Sequence, residues 1–101
     1  MFLMEPSSRL LSIVIPVYNE QGNLLLLYER LKKILRSLPY EHEILFVNDA
    51  SKDASQQILE RLAAADKAVR VLEFSRNFGK EMATTAGLHH ARGDACIMID
   101  A

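Results

Sequence analysis

Four short polar stretches in this chain of 101 residues carry residue types that could do chemistry. They are Pro16-Val17-Tyr18-Asn19-Glu20, Asn48-Asp49-Ala50-Ser51-Lys52-Asp53, Ser75-Arg76-Asn77-Phe78-Gly79-Lys80, and Asp100. Aspartates in such positions suit two jobs. One is to accept hydrogen bonds from the N–H edge of a base or from a ribose hydroxyl, which suits Asp49. The other is to hold a divalent cation that bridges phosphates, which suits Asp100. Arg76 and Lys80 could offset phosphate charge. Each residue also has a plainer reading. Asp49 can serve a turn or a cap, Asp100 can end a strand, and Arg76 and Lys80 can be solvated surface cations. Asn19 and Glu20 can cap a helix.

Several chemistries lack their residues. No glycine-rich turn follows the first apolar run, since Glu20-Gln21-Gly22 does not resemble a dinucleotide fingerprint. No Gly-Lys-Ser/Thr phosphate loop and no Gly-x-Ser-x-Gly nucleophile elbow occurs. Cys96 is the single cysteine, which excludes an internal disulfide and a multi-cysteine zinc site. Its apolar neighbours make it a core residue by expectation. His89 and His90 have no partner set and read as helix surface.

The elements that must position the polar stretches follow from periodicity. Strand one is expected over about 10–16, with Pro16 marking its end. Helix one is expected over 20–38, with Leu24, Leu27, Leu31, Ile34, Leu35 and Leu38 as one apolar stripe. Strand two is expected over 43–48 and helix two over 53–66, the latter capped by Ser51 with Asp53 in its first turn. Ala54, Ile58, Leu59 and Leu62 should face inward. Strand three is expected over 69–74 and helix three over 79–91, with Met82, Ala86 and His89 or His90 at helical spacing. Ala83 and Gly87 would let that helix approach a sheet closely, and Gly93 reads as its terminal turn residue. Strand four, 95–99, is uniformly apolar and is expected to be central and buried. Residues 1–9 read as a flexible arm and 10–101 as the structured part.

This alternation describes an open parallel α/β sheet with right-handed crossovers. In such a sheet ligands bind beyond the carboxyl ends of the strands. All four polar stretches fall at that rim, whereas the opposite rim receives ordinary connectors such as Pro39–His42 and Arg92-Gly93-Asp94.

Bulk properties narrow the partners. Lysine and arginine total 12 against 13 aspartate and glutamate, a formal charge of −1, which argues against a nucleic-acid partner. No apolar run approaches the roughly 20 residues that span a bilayer, and Met1 to Met4 are too few for a signal-peptide core. The chain is expected to be soluble, with any membrane attachment elsewhere. Because it stops just after an apolar strand, it is expected to be part of a longer domain.

Three stretches resemble the N-terminal part of the family 2 inverting glycosyltransferases. They are Ile13 to Glu20, Glu43 to Asp53, and Ala91-Arg92-Gly93-Asp94 leading to Ile97-Met98-Ile99-Asp100-Ala101. Ser75-Arg76-Asn77-Phe78-Gly79-Lys80-Glu81 is similar to the polyprenyl-phosphate (undecaprenyl- or dolichol-phosphate) sugar transferases of that family. The resemblance covers about residues 10–101 and implies the A-type nucleotide-sugar-binding fold, Rossmann-like, with strand order 3-2-1-4. It implies a UDP- or GDP-sugar donor, a polyprenyl phosphate acceptor and a Mg²⁺ or Mn²⁺ cofactor.

The same resemblance implies roles residue by residue. Pro16, Tyr18, Asn19, Glu20, Asp49 and Ser51 would border the donor nucleotide. Arg76 and Lys80 would lie toward phosphates, and Asp100 would open the metal-binding Asp-x-Asp motif. No catalytic residue is assigned within the chain, which is expected to be inactive alone, and the full-length protein would work at the cytoplasmic face of the membrane. Ala50 stands where the family usually has glycine, which is tolerable if its φ is negative. Pairing through an exposed edge of strand four is a further expectation. Two alternatives stay open. One is a non-catalytic nucleotide or regulatory module of the same fold. The other, a phosphoacceptor receiver domain, needs an acidic pair after strand one, where only Glu20 stands.

Overall fold

The computed structural model describes residues 9–101. Seven elements follow in order: β1 (Leu10–Val17), α1 (Leu24–Arg36), β2 (Glu41–Asn48), α2 (Ser55–Ala65), β3 (Val69–Glu73), α3 (Lys80–His90) and β4 (Ala95–Met98). The four strands form one parallel sheet in the order β3-β2-β1-β4. This is the expected Rossmann-like arrangement. β1 and β2 pair in register from Leu10 opposite Glu41 to Val17 opposite Asn48.

The apolar residues of β1 and β2 point alternately to two faces, so a continuous apolar run becomes two cores. Ile13, Ile15, Ile44 and Phe46 meet Leu24, Leu31 and Leu35 of α1 and Leu59 and Leu62 of α2. Val14, Leu45 and Val47 meet Ala83 of α3 on the other face. The second core is thinner because α3 offers small residues. A Cβ at Gly87 would collide with Val14 Cγ1 and lie 3.3 Å from Val47 Cγ2.

Several boundaries and faces differ from expectation for local reasons. Pro16 pairs opposite Val47 inside β1, which runs one residue further. α1 begins at Leu24 because the Glu20 carbonyl accepts from Asn23 N at 2.9 Å and Leu24 N at 3.2 Å, closing a turn first. Ile34 and Leu38 are exposed, so the buried stripe of α1 is narrower than the apolar pattern. α2 is not capped by Ser51. The amide of Ser55 donates instead to Asp53 Oδ1 at 2.9 Å, and Ala54, at the N-cap, is exposed. On α3, Ala83 and Gly87 are buried against the sheet and both histidines are exposed, as expected, and Met82 is exposed too because only small residues fit there. Gly93 does not close α3, whose cap is Ala91; its amide donates to Ser12 Oγ at 2.8 Å.

β4 corrects two expectations together. It is an edge strand with every residue exposed, including Cys96. Partial burial and the nearby Glu43 charge push the Cys96 thiol up, which keeps it protonated near neutral pH.

One buried carboxylate ties the amino-terminal ends of the strands. Glu43 Oε2 accepts from Ser12 Oγ and from Arg92 N, both at 2.6 Å, and Oε1 accepts from Arg70 Nη1 at 2.8 Å. Burial works against its charge, but these donors outweigh it and hold the carboxyl below the usual range. Arg9, expected in a loose arm, offers its carbonyl to Glu41 N at 3.0 Å. The rest of that arm, residues 1–8, lies outside the described residues.

Candidate functional site

A cavity of about 360 Å³ opens at the carboxyl rim of the sheet. Pro16, Tyr18, Glu20, Asp49, Lys80 and Asp100 line it, joined by Asn77 and Gly79 of the loop before α3. Val17 and Ala83 add apolar surface to its wall. The parallel sheet brings these residues together, because every strand ends here and every following loop turns over the same edge.

The loops after β1 and β2 are knitted into one wall. Asn19 N donates to Ser51 Oγ at 3.0 Å, and Asn19 Oδ1 accepts from Lys52 N at 2.8 Å. Ser51 Oγ donates to Asn48 Oδ1 at 2.6 Å. Glu20 N donates to Ser55 Oγ at 3.0 Å, and Gln21 N donates to Asp53 Oδ2 at 3.1 Å. Asn19 and Ala50 both adopt left-handed backbone, with φ of 53° and 57°. Asparagine tolerates that region, whereas alanine meets its own carbonyl there. The condition of a negative φ at Ala50 is therefore not met.

The loop before α3 is fastened to the end of β2. Asp49 is 3% exposed, and its carboxylate accepts from Phe78 N at 2.7 Å and Gly79 N at 2.9 Å. Asn77 Nδ2 adds a third bond at 3.1 Å. On its far side the loop packs through Phe78, edge-on to Phe74 with ring centroids 5.4 Å apart.

Of the expected site residues, Pro16, Tyr18, Glu20, Asp49, Lys80 and Asp100 line the cavity. Asn19 and Ser51 stand behind its wall, bonded to each other. Arg76 lies outside, its guanidinium 5.7 Å from the centre of the Phe78 ring. Asn77 and Gly79 belong to the stretch that the sequence places at this rim, but neither was assigned a role in the site. The available signal was a lone glycine just before a helix, and its φ of 97° is one that other residues rarely adopt.

Lys80 Nζ lies 2.5 Å from Asp100 Oδ1 across the cavity, and both side chains are largely exposed. Glu20 Oε2 accepts from Asn23 Nδ2 at 3.0 Å. Among the described residues no three histidine, cysteine, aspartate or glutamate side chains converge as metal ligands. The donor set therefore does not fit an ion caged by protein alone. It fits one that takes a carboxylate from Asp100 and its remaining ligands from phosphate oxygens and water, as magnesium sites commonly do.

Known proteins share this chain's sequence and its fold. The chain is 49% identical over 90 residues to a bactoprenol glucosyl transferase of Shigella phage SfV, covering 89% of this chain and 29% of that protein. It is 48% identical over 92 residues to the putative glycosyltransferase CsbB of Bacillus subtilis, covering 91% of this chain and 28% of that one. The chain thus spans less than a third of the length of these relatives. Among solved structures, S. aureus TarS 1-349 in complex with UDP superposes with a TM-score of 0.78 at 26% identity, covering 89% of this chain and 26% of that one. The mannosyltransferase PcManGT from Pyrobaculum calidifontis, in complex with GDP-Man and Mn²⁺, gives 0.73 at 24% identity over 95% of this chain and 28% of that one, and shows the shared fold alone. The sequence profile of Glycosyl transferase family 2 matches residues 12–101. The chain belongs to glycosyl transferase family 2.

Proposed function

We propose that this chain forms the donor-binding part of a transferase that moves a sugar from a nucleoside diphosphate sugar to a polyprenyl phosphate. The observation that carries the reading is the carboxyl-rim cavity, which Lys80 and its ion-pair partner Asp100 line together with Pro16, Tyr18, Glu20 and Asp49. The bactoprenol glucosyl transferases among its relatives support a lipid acceptor and a glucosyl group. The UDP bound to TarS supports a nucleotide in this fold.

In the proposed reaction an acceptor phosphate oxygen attacks the anomeric carbon of the sugar. The bond from that carbon to the donor diphosphate breaks, the nucleoside diphosphate leaves with the electron pair, and configuration inverts. A phosphate acceptor is already anionic near neutral pH and needs less help from a general base than a hydroxyl. Pro16, Tyr18, Glu20 and Asp49 border the nucleotide, with Asn19 and Ser51 supporting that wall. Lys80 offsets charge at the diphosphate, where a fixed cation lowers the cost of the developing anion. Arg76, stacked on Phe78, contributes charge near the entrance. A Mg²⁺ or Mn²⁺ ion sharing Asp100 with the diphosphate would add further neutralisation there.

The acceptor is a membrane lipid, so the whole protein would act at a membrane surface, on the cytoplasmic face where nucleotide sugars are found. Among the described residues no helix is long and apolar enough to cross a membrane. This chain spans less than a third of the length of its relatives and is expected to bind donor without completing transfer.

The test is an amide-resolved NMR titration with UDP and then GDP, each with Mg²⁺. Shifts gathered at Tyr18–Glu20, Asn48–Ser51 and near Asp100 are the expected result, and the preferred base identifies the donor class. A dispersed spectrum in which nothing moves would overturn the reading. Nucleotide binding by a full-length protein that transfers no sugar would favour the rival, a non-catalytic binding module.

A further inference from the structure

We propose that Lys80 competes with the divalent cation for Asp100 and gives that carboxylate up when a diphosphate draws it away, so that donor and metal bind as a coupled pair. The proposal rests on the reading of the cavity as a nucleotide-sugar site. Lys80 is the one cationic side chain in the cavity lining, which also holds the carboxylates of Glu20, Asp49 and Asp100. Asp49 is 3% exposed and accepts from the Phe78 and Gly79 amides, so it is closed to a hydrated ion. Glu20 Oε2 accepts from Asn23 Nδ2. Asp100 is paired with Lys80, Nζ to Oδ1 at 2.5 Å. The carboxylate best placed to take a metal is therefore the one that already holds an ammonium.

The chemistry of the two groups makes this pair a switch rather than a lock. A divalent ion approaching Asp100 must either displace Lys80 or sit beside a like charge. Both side chains are largely exposed, so water screens the pair and it breaks at little cost. Lys80 carries its charge on a flexible four-carbon stem, so the ammonium can change partners while its backbone stays at the start of α3. A diphosphate carries more negative charge than one carboxylate and is the stronger partner for Lys80. Once Lys80 turns to it, Asp100 is released, and phosphate oxygens and water complete the ligands of the ion. Each partner then strengthens the other by the same factor, because coupling between two sites is reciprocal.

The experiment compares the ¹⁵N-labelled wild-type chain with Lys80→Gln, Asp100→Asn, the double variant and Arg76→Gln. Mn²⁺ affinity is read from paramagnetic broadening of the amides around Asp100, with and without UDP or GDP. Nucleotide affinity is also read without metal. Lys80→Gln should strengthen binding of Mn²⁺ alone about threefold, the scale of an exposed ion pair. It should also shrink the factor by which nucleotide strengthens Mn²⁺. Arg76→Gln, which removes a cation outside the cavity, should leave Mn²⁺ binding unchanged. Without metal, Asp100→Asn should raise nucleotide affinity, and by more when Lys80 is present than in the Lys80→Gln background. Unchanged or weaker Mn²⁺ binding in Lys80→Gln would overturn the proposal, as would a complete lack of broadening near Asp100. An equal gain in Arg76→Gln would mean a bulk charge effect and overturn it too. So would a gain from Asp100→Asn that is the same in both backgrounds. If the wild-type chain binds neither nucleotide, with or without Mn²⁺, the donor-site reading falls, and Mn²⁺ binding alone decides whether Lys80 and the cation share Asp100.

Discussion

Lys32 Nζ lies 2.9 Å from Asp66 Oδ2 and 2.7 Å from His42 Nε2, joining α1, the start of β2 and the end of α2. The Tyr28 hydroxyl donates to the same Asp66 oxygen at 2.7 Å. Burial opposes the charge of Asp66, but Tyr28, Lys32 and the Ala68 amide outweigh it and hold the carboxyl down to about 2. Burial and the same carboxylate push Tyr28 up to about 12. Burial and the Lys32 charge lower His42.

These shifts predict a stability profile in acid. A carboxyl held below its unfolded value takes up its proton later in the folded chain. The Asp66 contribution is therefore complete above its ordinary 3.8 and is lost as pH falls toward about 2. His42 adds a loss in the same direction, beginning as pH falls below its ordinary 6.5. Urea unfolding at a series of pH values should show both slopes. Asp66→Asn should flatten the lower one and His42→Gln the upper one.

Ala50 predicts a gain. At φ 57° an L-residue with a Cβ is strained by about 1–2 kcal/mol. Ala50→Gly gives up some of that advantage to the greater freedom of the unfolded chain. A net stabilisation of about 1 kcal/mol is expected, read as a higher urea midpoint at unchanged slope. A lower midpoint would show that the left-handed turn is not strained.

Gly87 predicts a loss and its rescue. Gly87→Ala sets a methyl group against Val14 Cγ1 at the centre of the sheet. Overpacking of this kind costs about 1–3 kcal/mol. The double variant Gly87→Ala/Val14→Ala should recover part of the loss, because the second change vacates the same space. Strict additivity would mean that the two residues are not in contact.

The bare side of β4 predicts association. Among the described residues β4 pairs with β1 alone, and Ile97 and Met98 are 47% and 52% exposed. An unpaired apolar edge is a template for strand addition. Sedimentation equilibrium of the 101-residue chain should show a concentration-dependent dimer, weakened by Ile97→Lys. A clean monomer at high concentration would remove the idea.

Much of the architecture was legible because two signals agreed. The β-branched runs ending in polar loops placed the strands, and the spacing of Leu24, Leu31, Leu35, Leu59 and Leu62 marked the inner sides of two helices, which the structure packs into one core. Helix three was harder to read. Its exposed Met82 is more apolar than its buried Ala83 and Gly87, so the small-residue spacing, and not the hydrophobic pattern, marked the face that meets the sheet. Cys96 misled for a related reason, since apolarity reports what a strand could bury and not whether anything covers it. At the site, types and spacing identified most of the cavity lining. They could not show that Asp49 bonds chiefly to Phe78 and Gly79, because backbone donors leave no mark in the side-chain sequence.

Glu43 gives the molecule a division of labour between its two ends. By bonding Ser12, Arg70 and the Arg92 amide, it links β1, β3 and the approach to β4 at the edge farthest from the cavity. The strands are thus clamped at one end, and the loops at the other are free to differ in length and residue type. Residues of the carboxyl-rim loops can change without disturbing that clamp. A change at Glu43 would be felt by every strand at once.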